Sequence, residues 1–266
     1  MNTTLGLRLT VKHQLVPKSG LEMHECEDSI GMKRQARRFC VSDGATEGFD
    51  SRRWARVLTK SWINSSRAIL TKEQLERWLH ELGGRFGGRW QKRSLPWYAE
   101  EKAQRGAFAT FAGLTFSDSA DGWSWQAIAI GDSCLIHRRG ERILCAFPLS
   151  DPSEFGYFPA LLPSDVRRQD AATAHLHFMN GTGEDGDVFL LLTDAIAAWY
   201  LAAFKSNRET VDAFESLLDS EDVDTFHQFI TACRKDGSLR NDDVAVIRIT
   251  IGETPDEVDD RESDHY

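Results

Sequence analysis

The chain has 266 residues, 41% of them hydrophobic and 27% charged, with 8 Trp and 15 Phe, enough apolar material for one substantial core in a single large domain. A formal net charge of -9 disfavours generic binding to nucleic-acid phosphates or to anionic membranes. The 5 cysteines form no C-x-x-C pair, no basic region precedes a long apolar run at the N-terminus, and no apolar stretch is long enough to span a bilayer, so reduced thiols and a cytoplasmic location are expected.

Leu5, Leu7, Leu9 and Val11 alternate with polar residues and predict a half-buried first strand. Arg38 to Ser42 is a short apolar run that halts at the turn signal Asp43-Gly44. Ser51 is placed to cap a helix carrying Trp54, Val57, Leu58 and Ile63 at helical spacing. A second helix starts at Thr71, with Leu75, Trp78, Leu79 and Leu82 on one face, and is expected to end at Gly83-Gly84. The glycine-rich, basic stretch from Gly83 to Pro96 reads as an exposed connection, and Tyr98 to Gln104 as a short helix running into Gly106.

Beyond Gly106 the period changes. Ala107 to Phe116, Trp123 to Ile130, Cys134 to Arg138 and Arg142 to Phe147 are β-type segments separated by turn residues, which predicts an antiparallel meander. Residues 148–186 show no clear period. Val188 to Thr193 is an apolar strand that ends on Asp194, and helical stretches follow over Ala195 to Phe204, Glu209 to Leu218 and roughly Val223 to Arg234. Asn241-Asp242-Asp243 opens a last strand, Val244 to Ile251. Residues 252–266 are acidic and poor in apolar side chains and read as a disordered tail, leaving residues 1–251 as the domain. This order of elements gives an α+β class.

Asp43, Asp194 and Asp242 each stand at the end of an apolar strand. A carboxylate there is partly desolvated and becomes tolerable when it pairs with a cation. Three such groups converging at one sheet edge make an all-oxygen site, suited to Mg²⁺ or Mn²⁺ rather than zinc. Two such ions about 3.5–4 Å apart lower the pKa of a shared water and hold a phosphoryl group for in-line attack. Each aspartate alone has an ordinary explanation as a turn former or helix cap. Their order with other motifs is what makes the set specific.

The segments CEDS (Cys26 to Ser29), VSDGATEG (Val41 to Gly48), IAIGDSCLI (Ile128 to Ile136), LLLTDAIAAW (Leu190 to Trp199) and RNDDVAVI (Arg240 to Ile247) follow the order typical of one family. From about Leu5 to Ile251 the chain resembles the PP2C-type, metal-dependent serine/threonine protein phosphatases, in a divergent bacterial form. The resemblance implies a PP2C-like β-sandwich of two antiparallel sheets flanked by helices. It implies hydrolysis of phosphoserine or phosphothreonine in proteins by a binuclear Mn²⁺ or Mg²⁺ centre with a bridging hydroxide nucleophile. The partner it implies is a phosphorylated protein, such as a cognate kinase or its target. In that reading Asp43, Asp194 and Asp242 are catalytic: Asp43 bridges two metals, the Gly44 carbonyl ligates one of them, and Asp194 and Asp242 complete the shell of the second metal. Glu27 holds a metal through water with Asp28 beside it, and Asp132 matches a position that supports a third metal in many members.

The chain departs from the pattern at several positions. An arginine that binds substrate phosphate in many members is replaced by Met23, with Lys18, His24 and Arg34 as nearby basic candidates. A histidine frequent after Asp-Gly is Ala45. Asp-Gly after the penultimate strand is Asp194-Ala195, and a later third-metal aspartate is Ala198, so two ions are expected rather than three. Met23 and Ala45 motivate an alternative, a catalytically weak pseudophosphatase that binds phosphoproteins or regulates a partner. A hydrolase of small phosphorylated metabolites is a third reading. Elsewhere, Glu47 reads as a solvated turn residue, His175 and His177 as one exposed strand face, Arg85 to Arg93 as a solvated basic loop, and Trp123 and Trp125 as core or edge residues.

Overall fold

The chain's last strand contributes to two of the three hydrophobic cores among the described residues. In the computed structural model, which describes residues 7–65, 69, 71–90, 105–119, 122–156, 158–220 and 222–252, β12 (Val244–Ile251) pairs antiparallel with β1 (Leu9–Val16) on one side and β11 (Asp187–Leu192) on the other. β7 (Cys134–Arg139) and β8 (Arg142–Phe147) complete a sheet of order β1-β12-β11-β7-β8. Every residue of β11 is buried, because both faces of this sheet are covered. Phe189 and Leu191 point into the core between the sheets, whereas Leu190 and Leu192 point into a core beneath helices. That alternation is the pleat of the strand used twice.

The second sheet has the order β10-β6-β5-β3-β2, from β10 (His177–Thr182), β6 (Gly122–Ile130), β5 (Phe111–Ser119), β3 (Arg38–Ser42) and β2 (Ser29–Lys33). A two-stranded pair, β4 (Phe108–Ala109) with β9 (Leu162–Pro163), lies beside it. Helices α1 (Ser51–Asn64) and α2 (Lys72–Trp90) cover its outer face. Trp54, Leu58 and Trp62 recur at four-residue spacing on the buried stripe of α1. The two indoles are anchored as well as buried: Trp54 Nε1 donates to the Leu162 carbonyl at 2.9 Å and Trp62 Nε1 to that of Phe39 at 3.1 Å. The short α3 (Gln169–Thr173) sits against α2 through Gln169 Nε2, 3.1 Å from the Leu79 carbonyl. The other sheet is covered by α4 (Asp194–Ser206), α5 (Arg208–Asp219) and α6 (Val223–Lys235). The expected α+β sandwich of two antiparallel sheets flanked by helices is therefore the observed one. Among the described residues no helix is long and apolar enough to cross a membrane.

Local departures from the sequence expectation have physical causes. The first strand runs later than Leu5 to Val11, since its register is set by β12, with Leu9 opposite Ile251 and Val16 opposite Val244; Leu5 lies outside the described residues. β2 was not expected, because Gly31 interrupts its short apolar pattern. A Cβ at Gly31 would fall 2.7 Å from Cys40 Sγ and 3.0 Å from the Thr59 carbonyl, so glycine lets the strand pass close under α1. The meander is two hairpins rather than one sheet: β5 pairs with β6 and β7 with β8, and the chain changes sheet at Gly131-Asp132-Ser133. Gly131 makes that turn at φ +87°, where a side chain would also meet the Ala160 carbonyl. The aperiodic residues 148–186 include β10, which pairs with β6. His175 falls in the turn before it and His177 at its start, so the two do not share a strand face.

The glycine-rich stretch is not a connection as far as Trp90, because α2 continues through it. Phe86 is buried against Trp54, with ring centroids 5.2 Å apart. A Cβ at Gly83 would lie 2.6 Å from the Ser164 carbonyl and 2.7 Å from Gln169 Nε2, whereas one at Gly84 would meet nothing within 4 Å. Gly83 therefore marks a close helix contact and not a helix end. Gln91, Lys92 and Arg93, the helix expected over Tyr98 to Gln104, and the tail beyond Gly252 lie outside the described residues. The pair of glycines makes opposite predictions for urea denaturation. Gly84→Ala should stabilise the chain by about 0.5–1 kcal/mol through helix propensity, and Gly83→Ala should destabilise it by about 1–3 kcal/mol through overpacking. Equal effects would refute the helical reading of this stretch.

Candidate metal centre

Four chain segments bring carboxylates to one edge of the sandwich. Asp43 follows β3, Asp132 sits in the turn between the two sheets, Asp194 opens α4 directly after β11, and Asp242 precedes β12. Each of Asp43, Asp132 and Asp194 offers a carboxylate oxygen, and these lie within 4.8 Å of one another. Asp132 and Asp194 are buried and Asp43 is half-buried.

The backbone around each group fixes its place. The Asp43 carbonyl accepts from the Thr110 N–H at 2.8 Å, and the Gly44 N–H donates to the Glu27 carbonyl at 3.2 Å. A Cβ on Gly44 would lie 2.8 Å from the Ser51 carbonyl carbon, so this turn approaches the start of α1 as only glycine can. Thr110 Oγ1 and Ser133 Oγ, 2.6 Å apart, tie that turn to the one bearing Asp132. Asp194 occupies the first turn of α4, where its Oδ1 accepts from the Ala195 N–H and the helix dipole favours a negative charge. Thr193 holds this junction from both sides: its Oγ1 accepts from the Ala245 N–H at 2.9 Å and donates to Asp28 Oδ2 at 2.8 Å. Asp243, buried, accepts from the N–H groups of Lys18 at 2.7 Å and Glu27 at 2.8 Å. The N-terminal CEDS segment is thus laced to the last strand.

The packing of like charges shows in their protonation. Burial, then the neighbouring charge of Asp194 and Asp132, holds the Asp43 carboxyl well above the usual carboxylate range. Burial and the Asp43 charge do the same to Asp28 against the opposing Thr193 hydrogen bond. Burial, reinforced by Asp194, pushes Asp132 up to about 7. Burial also raises Asp194, although the Arg240 guanidinium opposes it. Asp132 Oδ1 is buried with no hydrogen-bond partner among the described residues. Three converging carboxylates, one with a buried unpartnered oxygen, are a donor set that fits a hard divalent cation and offers no nitrogen or sulfur ligand.

The six candidate ligands fall into two groups. Asp43, Asp132 and Asp194 converge. Asp242 stands on the rim, its Oδ1 3.8 Å from Lys18 Nζ and its Oδ2 3.4 Å from Arg240 Nη2. Glu27 and Gly44 belong to the adjoining CEDS and Asp-Gly segments; Glu27 Oε2 accepts from Thr46 Oγ1 at 2.5 Å. Of the three basic candidates near Met23, Lys18 reaches the rim, Arg34 is turned to the Val11 carbonyl at 2.9 Å, and His24 is exposed on a short 3₁₀ turn. Glu47 is exposed, as expected. Sequence reasoning missed Arg240, whose Nη2 donates to Asp194 Oδ2, and Asp243. Their one signal was adjacency to Asp242 in RNDDV.

No family model matches the chain, and no curated protein matches it in sequence. Solved structures do match in fold. The catalytic domain of the serine/threonine protein phosphatase PstP, in complex with two manganese ions, superposes with a TM-score of 0.57 at 15% identity, over 93% of this chain and 100% of that one. PppA, a regulatory component of T6SS in Pseudomonas aeruginosa, gives 0.54 at 14%, over 91% and 97%. A PPM Ser-Thr phosphatase from Mycobacterium smegmatis, in complex with cacodylate, gives 0.53 at 14%, over 91% and 98%. The fold is that of the PP2C-type phosphatases.

Carboxylate crowding sets the sign of a pH effect. Asp132 keeps its proton to about pH 7 when folded but loses it near about pH 4 when unfolded. Between those values the folded chain binds more protons, so without divalent metal its stability should fall as pH rises from about 4 to about 7. Asp132→Asn should raise metal-free stability near neutral pH by about 1–2 kcal/mol and reduce the stabilisation that added Mn²⁺ provides. Urea denaturation at about pH 5 and about pH 8, with and without Mn²⁺, checks both. Greater metal-free stability at the higher pH would contradict the arrangement.

Proposed function

We propose that the chain is a metal-dependent phosphatase that hydrolyses phosphoserine or phosphothreonine in protein substrates. The observation that carries this reading is the convergence of Asp43, Asp132 and Asp194, with one Asp132 oxygen buried and unpartnered, on a fold shared with structures described as serine/threonine phosphatases. Asp43, the Gly44 carbonyl, Asp194 and Asp242 would hold two Mn²⁺ or Mg²⁺ ions, with Glu27 acting through water and Asp132 available to the same cluster. Bound there, the ions supply Lewis acidity to a phosphoryl oxygen and a water acidified for attack.

The chain's own residues do the rest of the work by position. Thr193 and Asp28 fix the strand-to-helix junction that aims Asp194. Asp243 holds the Lys18 and Glu27 backbones against the last strand. Ala45 has no proton to give, so the seryl or threonyl leaving group takes its proton from solvent rather than from that side chain. The substrate is then a phosphorylated protein, with a kinase acting in opposition. A rival reading, phosphoprotein binding without turnover, draws on Met23 and Ala45.

Hydrolysis of p-nitrophenyl phosphate and of a phosphoserine peptide, with Mn²⁺ or Mg²⁺, tests the proposal. Turnover should require the metal, and Asp43→Asn should reduce kcat by more than ~100-fold, beyond the loss typical of groups one layer further out. Metal-independent turnover, or an unaffected variant, would overturn the reading. Phosphopeptide binding without hydrolysis would favour the rival.

A further inference from the structure

Two cations stand at the lip of the carboxylate cluster, on segments that are sewn together. The Lys18 N–H donates to Asp243 Oδ1 at 2.7 Å and the Ser19 N–H to Asn241 Oδ1 at 2.9 Å, which seats the Lys18 turn beside the Arg240–Asp243 segment. Arg240 pairs through Nη2 with Asp194 Oδ2 and lies 3.4 Å from Asp242 Oδ2. Lys18 Nζ lies 3.8 Å from Asp242 Oδ1 and 4.0 Å from Glu27 Oε2. Arg240 keeps 42% of its side chain exposed and Lys18 25%, so both charges face solvent as well as carboxylate.

We propose that Arg240 and Lys18 form the phosphate-recognising pair of this site, gripping the non-bridging oxygens of a phosphomonoester dianion laid over the carboxylates. The proposal rests on the phosphatase reading and names how that site holds its substrate. A dianion approaching carboxylates alone is repelled, and cations on the lip reverse that sign. Both ion pairs of Arg240 use Nη2, and Nε and Nη1, on different edges of the guanidinium, have no partner among the described residues. Each can donate a charge-assisted hydrogen bond to a phosphate oxygen, while the lysine acts as a point charge. Two other nearby bases are committed: Arg34 donates to the Val11 carbonyl, and Arg234 to the carbonyls of Pro17 and Asp242.

The competing role for Arg240 is a strut that only positions Asp194, and the two roles differ in sign. A strut supports metal binding, so its loss weakens Mn²⁺ affinity and leaves phosphate affinity unchanged once Mn²⁺ is saturating. A phosphate grip repels the metal as a like charge, so its loss leaves Mn²⁺ affinity equal or tighter and weakens phosphate.

The test titrates inorganic phosphate calorimetrically into the full chain at saturating Mn²⁺, with Mn²⁺ affinity measured separately by electron paramagnetic resonance. Arg240→Gln should weaken phosphate binding about 10-fold or more and Lys18→Gln several-fold. Arg240→Lys should restore part of the loss, and Arg77→Gln, an equal charge change on an exposed position of α2, should do nothing. The KM for p-nitrophenyl phosphate should rise with the phosphate Kd more than kcat falls. Unchanged phosphate affinity in both glutamine variants, weakened Mn²⁺ affinity in Arg240→Gln, or absence of phosphate binding by the unaltered chain would overturn the pair. Hydrolysis that survives both substitutions would remove the pair and leave the phosphatase reading standing. Phosphate binding that depends on Arg240 in a chain that hydrolyses nothing would do the reverse.

Discussion

Carboxylates that repel one another, Asp43, Asp132 and Asp194, are held with oxygens within 4.8 Å of each other at the edge of a β-sandwich. Left to solvent they would separate, and buried without a cation they retain protons, as the upward shift of Asp132 to about 7 illustrates. Keeping them together requires rigid backbone on three segments at once. Much of the architecture around this edge can be traced to that requirement.

The sandwich meets it by ending strands where the aspartates begin. β3, β6 and β11 deliver their last apolar residues to the cores, and the next turn carries a carboxylate outward to the edge. Gly44 and Gly131 make two of those turns against crowded backbone. Thr193, Asp28 and Asp243 then satisfy backbone groups and one another, so that the polar layer beneath the site is hydrogen-bonded rather than merely buried. Arg240 and Lys18 place positive charge on the rim and leave the Asp132 oxygen unpartnered below. Cations outside and crowded carboxylates within are the arrangement on which the proposed binding of a divalent metal, and of an anion above it, rests.

How much of this could be read from the sequence depended on the range of the interaction. Asp43, Asp194 and Asp242 were visible because an apolar run stops or starts at each, a local signal. The last strand, Val244–Ile251, matched its expected limits because alternation and burial agree there. Asp132 came only through the ordered motifs, since Asp between Gly and Ser is an ordinary turn. Arg240 and Asp243 were not legible as site residues: their partners, Asp194 and the Lys18 and Glu27 backbones, are far away in sequence. The glycines of α2 misled for the same reason, because what Gly83 accommodates is the Ser164 carbonyl from a distant segment. Gly31 hid β2 likewise.

The central claim is that these carboxylates together bind divalent cations. Its most direct test is a crystal of the chain soaked in Mn²⁺ and measured at the manganese absorption edge. The account predicts anomalous density in contact with the carboxylates of Asp43 and Asp194, with Asp132 or Asp242 completing the oxygen shell. Clear density for these side chains with no manganese between them, or manganese bound only elsewhere on the chain, would contradict it.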